Sequence, residues 1–254
     1  MDFLLFITGI FTGIFGGFLG VGGSFIMLPI LLFVFQYPLT IAVGTSVTAV
    51  VFTATSGTFG HLRNKNVDLS TAKTVASTGI FGAFFGSIIF CSSVDLNYLN
   101  LILASIFLYA SLRMIYESFK GLEKNFREAR GQEESKKLKL AIGFLVGIVT
   151  GLTGLGGGFL LVPAFVYIFG FDIKLAVGTS MASFLSMAAV SSAFKFYEGV
   201  VDLIAALYLG TGTLIGAQIG ALIVKLIPVR VLKAIFGLTF LYISFRFILF
   251  FYNI

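Results

Sequence analysis

The sequence predicts an all-α integral membrane protein built from two inverted-topology repeats, each a broken, glycine-rich helical hairpin followed by three transmembrane helices. Its 254 residues are 58% hydrophobic and only 11% charged, and their mean hydropathy is +1.05, which is typical of a multi-pass membrane protein. A glycine-rich motif also occurs twice: residues 16–29 read GGFLGVGGSFIMLP, and residues 150–163 read TGLTGLGGGFLLVP. This repetition indicates that one half of the chain was duplicated.

The two copies keep one register along the chain. Gly22 recurs as Gly156, and the pentapeptide AVGTS at 42–46 recurs at 176–180, both at an offset of 134 residues. The chain is therefore expected to divide into an N-terminal membrane repeat over residues 1–116, a connector over 117–139 and a C-terminal membrane repeat over 140–254.

Each repeat opens with an apolar segment that must break. Residues 3–35 carry no charged side chain, but one straight helix of that length would measure about 50 Å, whereas the hydrocarbon core is about 30 Å thick. The break is expected at residues 20–24, because glycine lowers helix propensity and accepts unusual backbone angles. Two helices of about 15 residues then form a hairpin that enters the membrane and turns back. Residues 140–169 repeat this plan.

Three ordinary spans follow each hairpin. They are expected at about Ile41–Gly60, Thr74–Cys91 and Leu96–Tyr116 in the first repeat, and at about Leu175–Phe194, Leu203–Val224 and Val231–Phe251 in the second. A hairpin and three spans make an odd number of net crossings. The two repeats are therefore expected to insert in opposite orientations.

The basic residues predict the orientation of the chain in the membrane. With the connector in the cytoplasm, all but two of the 17 Lys and Arg residues lie inside, and the exceptions are Lys195 and Arg246. Both chain termini are then outside. Residues 1–4 lack the basic region of a signal peptide, so we expect the first apolar segment to be retained.

The motifs resemble those of one transporter family. The doubled G-x-x-G-x-G-G-[SG]-F followed by a proline, the AVGTS after it and the basic loop that closes that span are similar to the TauE/SafE sulfite exporter family, also called the toluene sulfonate uptake permease family. The resemblance covers both halves apart from the connector. It implies a secondary transporter or permease for small sulfur-containing anions such as sulfite or organosulfonates, in a bacterial or archaeal inner membrane. It fixes neither the anion nor the direction of transport.

The same residues suit an anion site. A hairpin tip near the midplane leaves unpaired backbone N–H groups at the start of its second helix, and these groups attract an anion together with the helix dipole. Neutral hydroxyl and amide donors add to them without placing a fixed charge in the membrane. The candidate substrate-binding residues are Gly22, Gly23, Ser24, Thr45, Ser46, Gly156, Gly157, Gly158, Thr179, Ser180 and Gln218.

Several of these features have a structural alternative. Glycines spaced by four, as in Gly9-Gly13-Gly17, are typical of close helix packing in lipid. Serine and threonine hydroxyls often bond carbonyls of their own helix. Gln218 either reaches the substrate or bonds across helices.

His61 and Lys195 occupy equivalent positions in the two repeats. His61 either carries a coupling proton or lies at the cytoplasmic interface. Lys195 either steers anions toward the entrance or snorkels beside Glu198. Because no Asp or Glu lies in the middle of a span, a carboxylate proton relay or sodium site is not visible, and the coupling ion, proton or sodium, stays open.

The remaining composition excludes other classes. Cys91 is the only cysteine, which rules out an internal disulfide and a cysteine-based metal cluster. A net charge of +6 reports membrane orientation rather than nucleic-acid binding. Zinc-protease, serine-hydrolase and phosphate-loop motifs are missing, so no enzyme, cofactor or metal is expected. An anion channel and a non-transporting membrane scaffold stay open as alternatives, and so does assembly into a homo-oligomer.

Overall fold

The computed structural model describes residues 2–92, 97–120 and 136–251. Within these residues the chain is helical and contains no strand, so the predicted all-α class is confirmed. The helices are α1 (Asp2–Leu19), α2 (Ser24–Phe33), α3 (Leu39–Arg63), α4 (Leu69–Cys91), α5 (Asn97–Lys120), α6 (Lys136–Thr153), α7 (Gly158–Tyr167), α8 (Ile173–Tyr197), α9 (Leu203–Leu226) and α10 (Val229–Phe251). Five of these helices, α1, α3, α4, α8 and α9, are long and apolar enough to cross a membrane.

The glycine motif breaks both hairpins where the sequence predicts. α1 gives way to α2, and α6 to α7, over four residues in each case. Gly22 and Gly156 have φ values of +83° and +78°, in the left-handed region where a side chain is strained. α2 and α7 have 10 residues each, about 15 Å of helix, which is half of what a bilayer span needs.

Several helix ends differ from the expected bounds, two of them at helix starts. α4 begins at Leu69, earlier than the expected start near Thr74, because the carboxylate of Asp68 accepts the N–H groups of Ser70 and Thr71 at 2.9 and 3.2 Å. α6 begins at Lys136, so the end of the predicted connector is helical. Residues 121–135, the main part of that connector, lie outside the described residues.

Contacts divide the helices into two compact units. The first contains α1–α4 and α6–α9, and the second contains α5 and α10. In the second unit, the Ser111 hydroxyl donates to the Gly237 carbonyl at 2.8 Å, and the ammonium of Lys233 pairs with Glu117 at 2.8 Å. Each unit holds helices from both sequence repeats. The repeat boundaries themselves stay a prediction.

Glycines spaced by four bring two helix pairs of the first unit into backbone contact. A methyl group placed on Gly9, Gly13 or Gly17 of α1 would collide with the backbone of α9. The same holds for Gly143, Gly147 and Gly151 of α6 against α4. These contacts follow one register in each pair, so the two helices of a pair run parallel. The packing interpretation of the glycines spaced by four is therefore confirmed.

The equivalent helices α3 and α8 run antiparallel. Thr48, near the start of α3, accepts a hydrogen bond at 2.9 Å from the hydroxyl of Ser192, near the end of α8. At the opposite end, a methyl group on Gly178 of α8 would collide with the carbonyl of Asn66, just after α3. These two equivalent helices thus point in opposite directions, and the inverted topology of the whole repeats stays a prediction. The orientation in the membrane stays a prediction.

The glycine contacts predict a loss of stability on substitution. Gly216→Leu places a side chain against the backbone of Ile10 in α1, and such overpacking costs about 1–3 kcal/mol. We expect a lower thermal midpoint for the purified protein in detergent. Ile215→Leu, at a neighbouring position that is half exposed, is the control and should leave the midpoint unchanged. An unchanged midpoint for Gly216→Leu would contradict the close contact.

Candidate anion site at the hairpin tips

The tips of the two hairpins touch each other within the first unit. The hydroxyl of Ser24 donates a hydrogen bond to the carbonyl of Leu155 in the other tip. A methyl group on Gly158 would collide with the backbone of Gly20 and Val21. The structure thus brings together the tip residues that the sequence singles out, and all of them except the partly buried Leu155 are buried.

Backbone N–H groups at both tips have no hydrogen-bond acceptor among the described residues. They belong to Gly22, Gly23, Ser24 and Phe25 in the first repeat, and to Gly156, Gly157 and Gly158 in the second. The first helical bonds are made by Ile26 and Leu160, whose N–H groups reach the carbonyls of Gly23 and Gly157 at 3.2 Å. A buried N–H without an acceptor costs about 1–3 kcal/mol. Each tip therefore offers donors that an anion would satisfy.

Two apolar side chains lie where the tips meet, and sequence reasoning missed both. The Cβ position of Gly22 is 2.8 Å from Val50 Cγ1 and 3.2 Å from Phe184 Cζ. The Cβ position of Gly156 is 3.5 Å from Val50 Cγ1 and 3.8 Å from Phe184 Cε2. Both side chains are fully buried. Their signal in the sequence is that each follows the serine of an AVGTS motif by one helical turn and so shares its face.

The threonines of the AVGTS motifs contact helix starts rather than the tips. The Thr45 hydroxyl accepts the N–H of Asp202 at 3.0 Å, and the Thr179 hydroxyl accepts the N–H of Asp68 at 2.9 Å. Each threonine thus holds the first residue before a helix of the other repeat. Asp202 also accepts a hydrogen bond from Tyr37 at 2.8 Å. Burial and this bond raise the pKa of Tyr37 to about 12.

The two AVGTS serines differ. The Ser180 hydroxyl lies 2.7 Å from the carbonyl of Gly20 and 2.8 Å from that of Val177, so it connects α8 to the first tip. The Ser46 hydroxyl donates to the Val43 carbonyl of its own helix at 3.0 Å. Of these two serines, only Ser180 therefore contacts a tip by its side chain.

Gln218 bonds across helices. Its amide donates to the carbonyl of Ser56 at 2.7 Å, and the Ser56 hydroxyl in turn donates to the Leu214 carbonyl at 2.6 Å. These bonds join α3 to α9. The structure places Gln218 in that contact, as its structural interpretation expects.

His61 and Lys195 satisfy the ends of the two broken helices. His61 Nε2 lies 2.9 Å from the Gly17 carbonyl, and Lys195 Nζ donates to the Gly151 carbonyl at 2.6 Å. Gly17 and Gly151 occupy equivalent positions in the last turns of α1 and α6, where carbonyls have no helical partner and carry the negative end of the helix dipole. Each side chain thus supplies the missing donor.

Burial bears on the interpretations of both residues. Both side chains have no exposed surface, and the position of His61 at the cytoplasmic interface stays a prediction. The pairing of a snorkelling Lys195 with Glu198 was wrong, since Lys195 forms no salt bridge with any described residue. The reason is that α8 continues to Tyr197 and turns Lys195 toward α6.

Sequence comparisons place the chain among membrane transporters. The family model described as "Sulfite exporter TauE/SafE" matches residues 5–247. The probable membrane transporter protein YunE of Bacillus subtilis is 30% identical and is aligned over 87% of each chain. YdhB of the same organism is 25% identical over 93% of this chain and 96% of its own. MJ0441 of Methanocaldococcus jannaschii is 28% identical over 70% and 66%. No solved structure matches significantly.

The threonine contacts generate a test of their role. Thr45→Val and Thr179→Val each leave the N–H of an aspartate without its acceptor, which costs about 1–3 kcal/mol. We expect both variants to unfold at a lower temperature. Thr55→Val is the control, because Thr55 is exposed and bonds only the Val51 carbonyl of its own helix. A Thr45→Val protein with a normal thermal midpoint but weakened anion binding would instead assign Thr45 to the substrate.

Proposed function

The chain belongs to the TauE/SafE sulfite exporter family, and we propose that it is a secondary transporter of a small sulfur-containing anion such as sulfite or an organosulfonate. The family and the named relatives support a multi-pass membrane transporter. The substrate class rests on the family and on one observation: the two hairpin tips are in contact, and their N–H groups have no acceptor among the described residues. An anion with several oxygens accepts hydrogen bonds from both tips at once.

The chemistry of these donors suits transport. Glycines at the tips let an oxyanion approach the backbone closely, and the donors are dipoles, so they hold the anion weakly enough for release. Helix breaks that face a central site are a recurring feature of secondary transporters. The hydroxyls of Ser24 and Ser180 already bond tip carbonyls, so they position the tips, and the N–H groups bind the anion.

The apolar pair Val50 and Phe184 is the gate in this proposal. Both side chains fill the space beside Gly22 and Gly156, so an anion enters when the tips separate or the Phe184 ring moves. Because the equivalent helices α3 and α8 are antiparallel, the site could open toward either side of the membrane in an equivalent way. The helices around each tip would rock so that the site faces the two sides of the membrane alternately.

The first experiment measures flux in proteoliposomes. Radiolabelled sulfite should enter with saturation, and unlabelled sulfite on the opposite side should accelerate it, because an exchanging carrier returns loaded. Linear flux without this acceleration would indicate an anion channel. No flux of sulfite, sulfoacetate or taurine would favour a membrane scaffold.

The gate predicts a selectivity change. Phe184→Val copies the side chain that the first repeat has at the equivalent position, and it enlarges the space at the tips. We expect the transport efficiency of toluenesulfonate, a larger anion with one charge, relative to sulfite to rise about tenfold or more. Phe165→Val, which removes an equally buried ring between Phe169 and Phe171, should lower stability without changing this ratio. An equal ratio in the two variants would place the anion elsewhere.

The orientation proposed from the basic residues has its own test. Cys91 is exposed at the end of α4, on the side assigned to the outside. A membrane-impermeant maleimide should label intact cells that express the protein, and Cys91→Ser should abolish the labelling. Labelling that appears only after the cells are opened would reverse the assignment.

A further inference from the structure

Lys195 is a buried basic side chain with no carboxylate partner among the described residues. It has no exposed surface, and its Nζ donates to the Gly151 carbonyl at 2.6 Å and the Ser191 hydroxyl at 2.9 Å, 4.7 Å from the centre of the Phe90 ring. All these partners are neutral. The other buried lysine of the described chain, Lys233, pairs with a carboxylate at 2.8 Å. Burying an unpaired charge is costly, and inside a membrane such a residue marks a functional site.

The hydroxyls beside Lys195 have no counterpart at the equivalent site around His61. Ser191 and Ser87, whose hydroxyls are 3.2 Å apart beside Lys195, correspond to Gly57 and Ala221 near His61. The site around His61 therefore lacks both hydroxyls. His61 Nδ1 is also buried without a partner among the described residues, so a second proton there would have no acceptor. Of the two equivalent sites, only that of Lys195 offers hydroxyl oxygens beside the basic side chain.

The charge lies at the same helix break as the unpaired N–H groups of the second tip. Gly151, which accepts from Lys195, is in the last turn of α6. Thr150 next to it is 3.0 Å, by its hydroxyl oxygen, from the Cβ position of Gly157. An anion bound to the N–H groups of Gly156 and Gly157 would therefore lie at the break between α6 and α7, where Lys195 also bonds the end of α6.

We infer that Lys195 is the counter-charge of the bound anion, and that its single charge selects singly charged anions, such as a sulfonate or hydrogen sulfite, over doubly charged ones such as sulfate. This inference rests on the proposed function. A monoanion and Lys195 form a neutral pair inside the membrane. A dianion leaves one negative charge without compensation, which carries the full desolvation cost of a buried ion.

The test compares methanesulfonate, which carries one charge, with sulfate, which carries two. In proteoliposomes, methanesulfonate should inhibit radiolabelled sulfite exchange at a concentration about tenfold or more below that of sulfate, a difference of about 1.4 kcal/mol or more. Lys195→Met should remove this preference, and Lys195→Arg, which keeps the charge, should retain it. Lys233→Met is the matched control and should leave the ratio unchanged.

Two results overturn the inference: a wild-type protein that prefers sulfate, or a Lys195→Met protein that exchanges sulfite with the wild-type ratio. If Lys195→Met does not fold, the double variant Ser87→Ala, Ser191→Ala should reduce the ratio by weakening support of the charge. Absence of any exchange by the wild type contradicts the proposed function instead. In that case the preference for singly charged anions is tested by binding: methanesulfonate should raise the thermal midpoint of the protein more than sulfate does. The reverse order would refute the preference.

Discussion

The first unit depends on hydrogen bonding of the backbone groups that lose their helical partners at two helix breaks. Each break frees carbonyls at the end of one helix and N–H groups at the start of the next, and lipid offers a partner to neither. His61 and Lys195 satisfy a carbonyl at each break. The N–H groups that follow have no acceptor among the described residues. A side chain thus satisfies a carbonyl at each break, and the proposed anion would satisfy the N–H groups.

The two repeats complete each other rather than folding side by side. Thr45 and Thr179 each accept the N–H of an aspartate in the other repeat, and Ser24 bonds the opposite tip. Glycine contacts align α1 with α9 and α4 with α6 at backbone distance. Because every one of these contacts joins different repeats, moving one hairpin disturbs helices of both. The proposed alternating openings would therefore involve both repeats.

Equivalent positions in the two repeats carry side chains with different chemistry. His61 and Lys195 make the same bond to equivalent carbonyls, yet only Lys195 is surrounded by hydroxyls. Val50 and Phe184 occupy equivalent positions with different side-chain volumes, and Ser24 corresponds to Gly158. Equivalent positions thus carry different side chains, and the proposed counter-charge lies at only one of the two helix breaks.

The sequence by itself determined the membrane class, the duplication, both helix breaks and the tip glycines, because hydropathy, repeat register and glycine clusters are local signals. It also determined the packing of the glycines spaced by four. Only the tertiary structure decided which hydroxyls contact a tip, that Val50 and Phe184 lie between the tips, and that His61 and Lys195 are buried. Those facts depend on which helix of one repeat lies against which helix of the other. No local pattern encodes that pairing, since it arises from contacts between residues more than 100 positions apart.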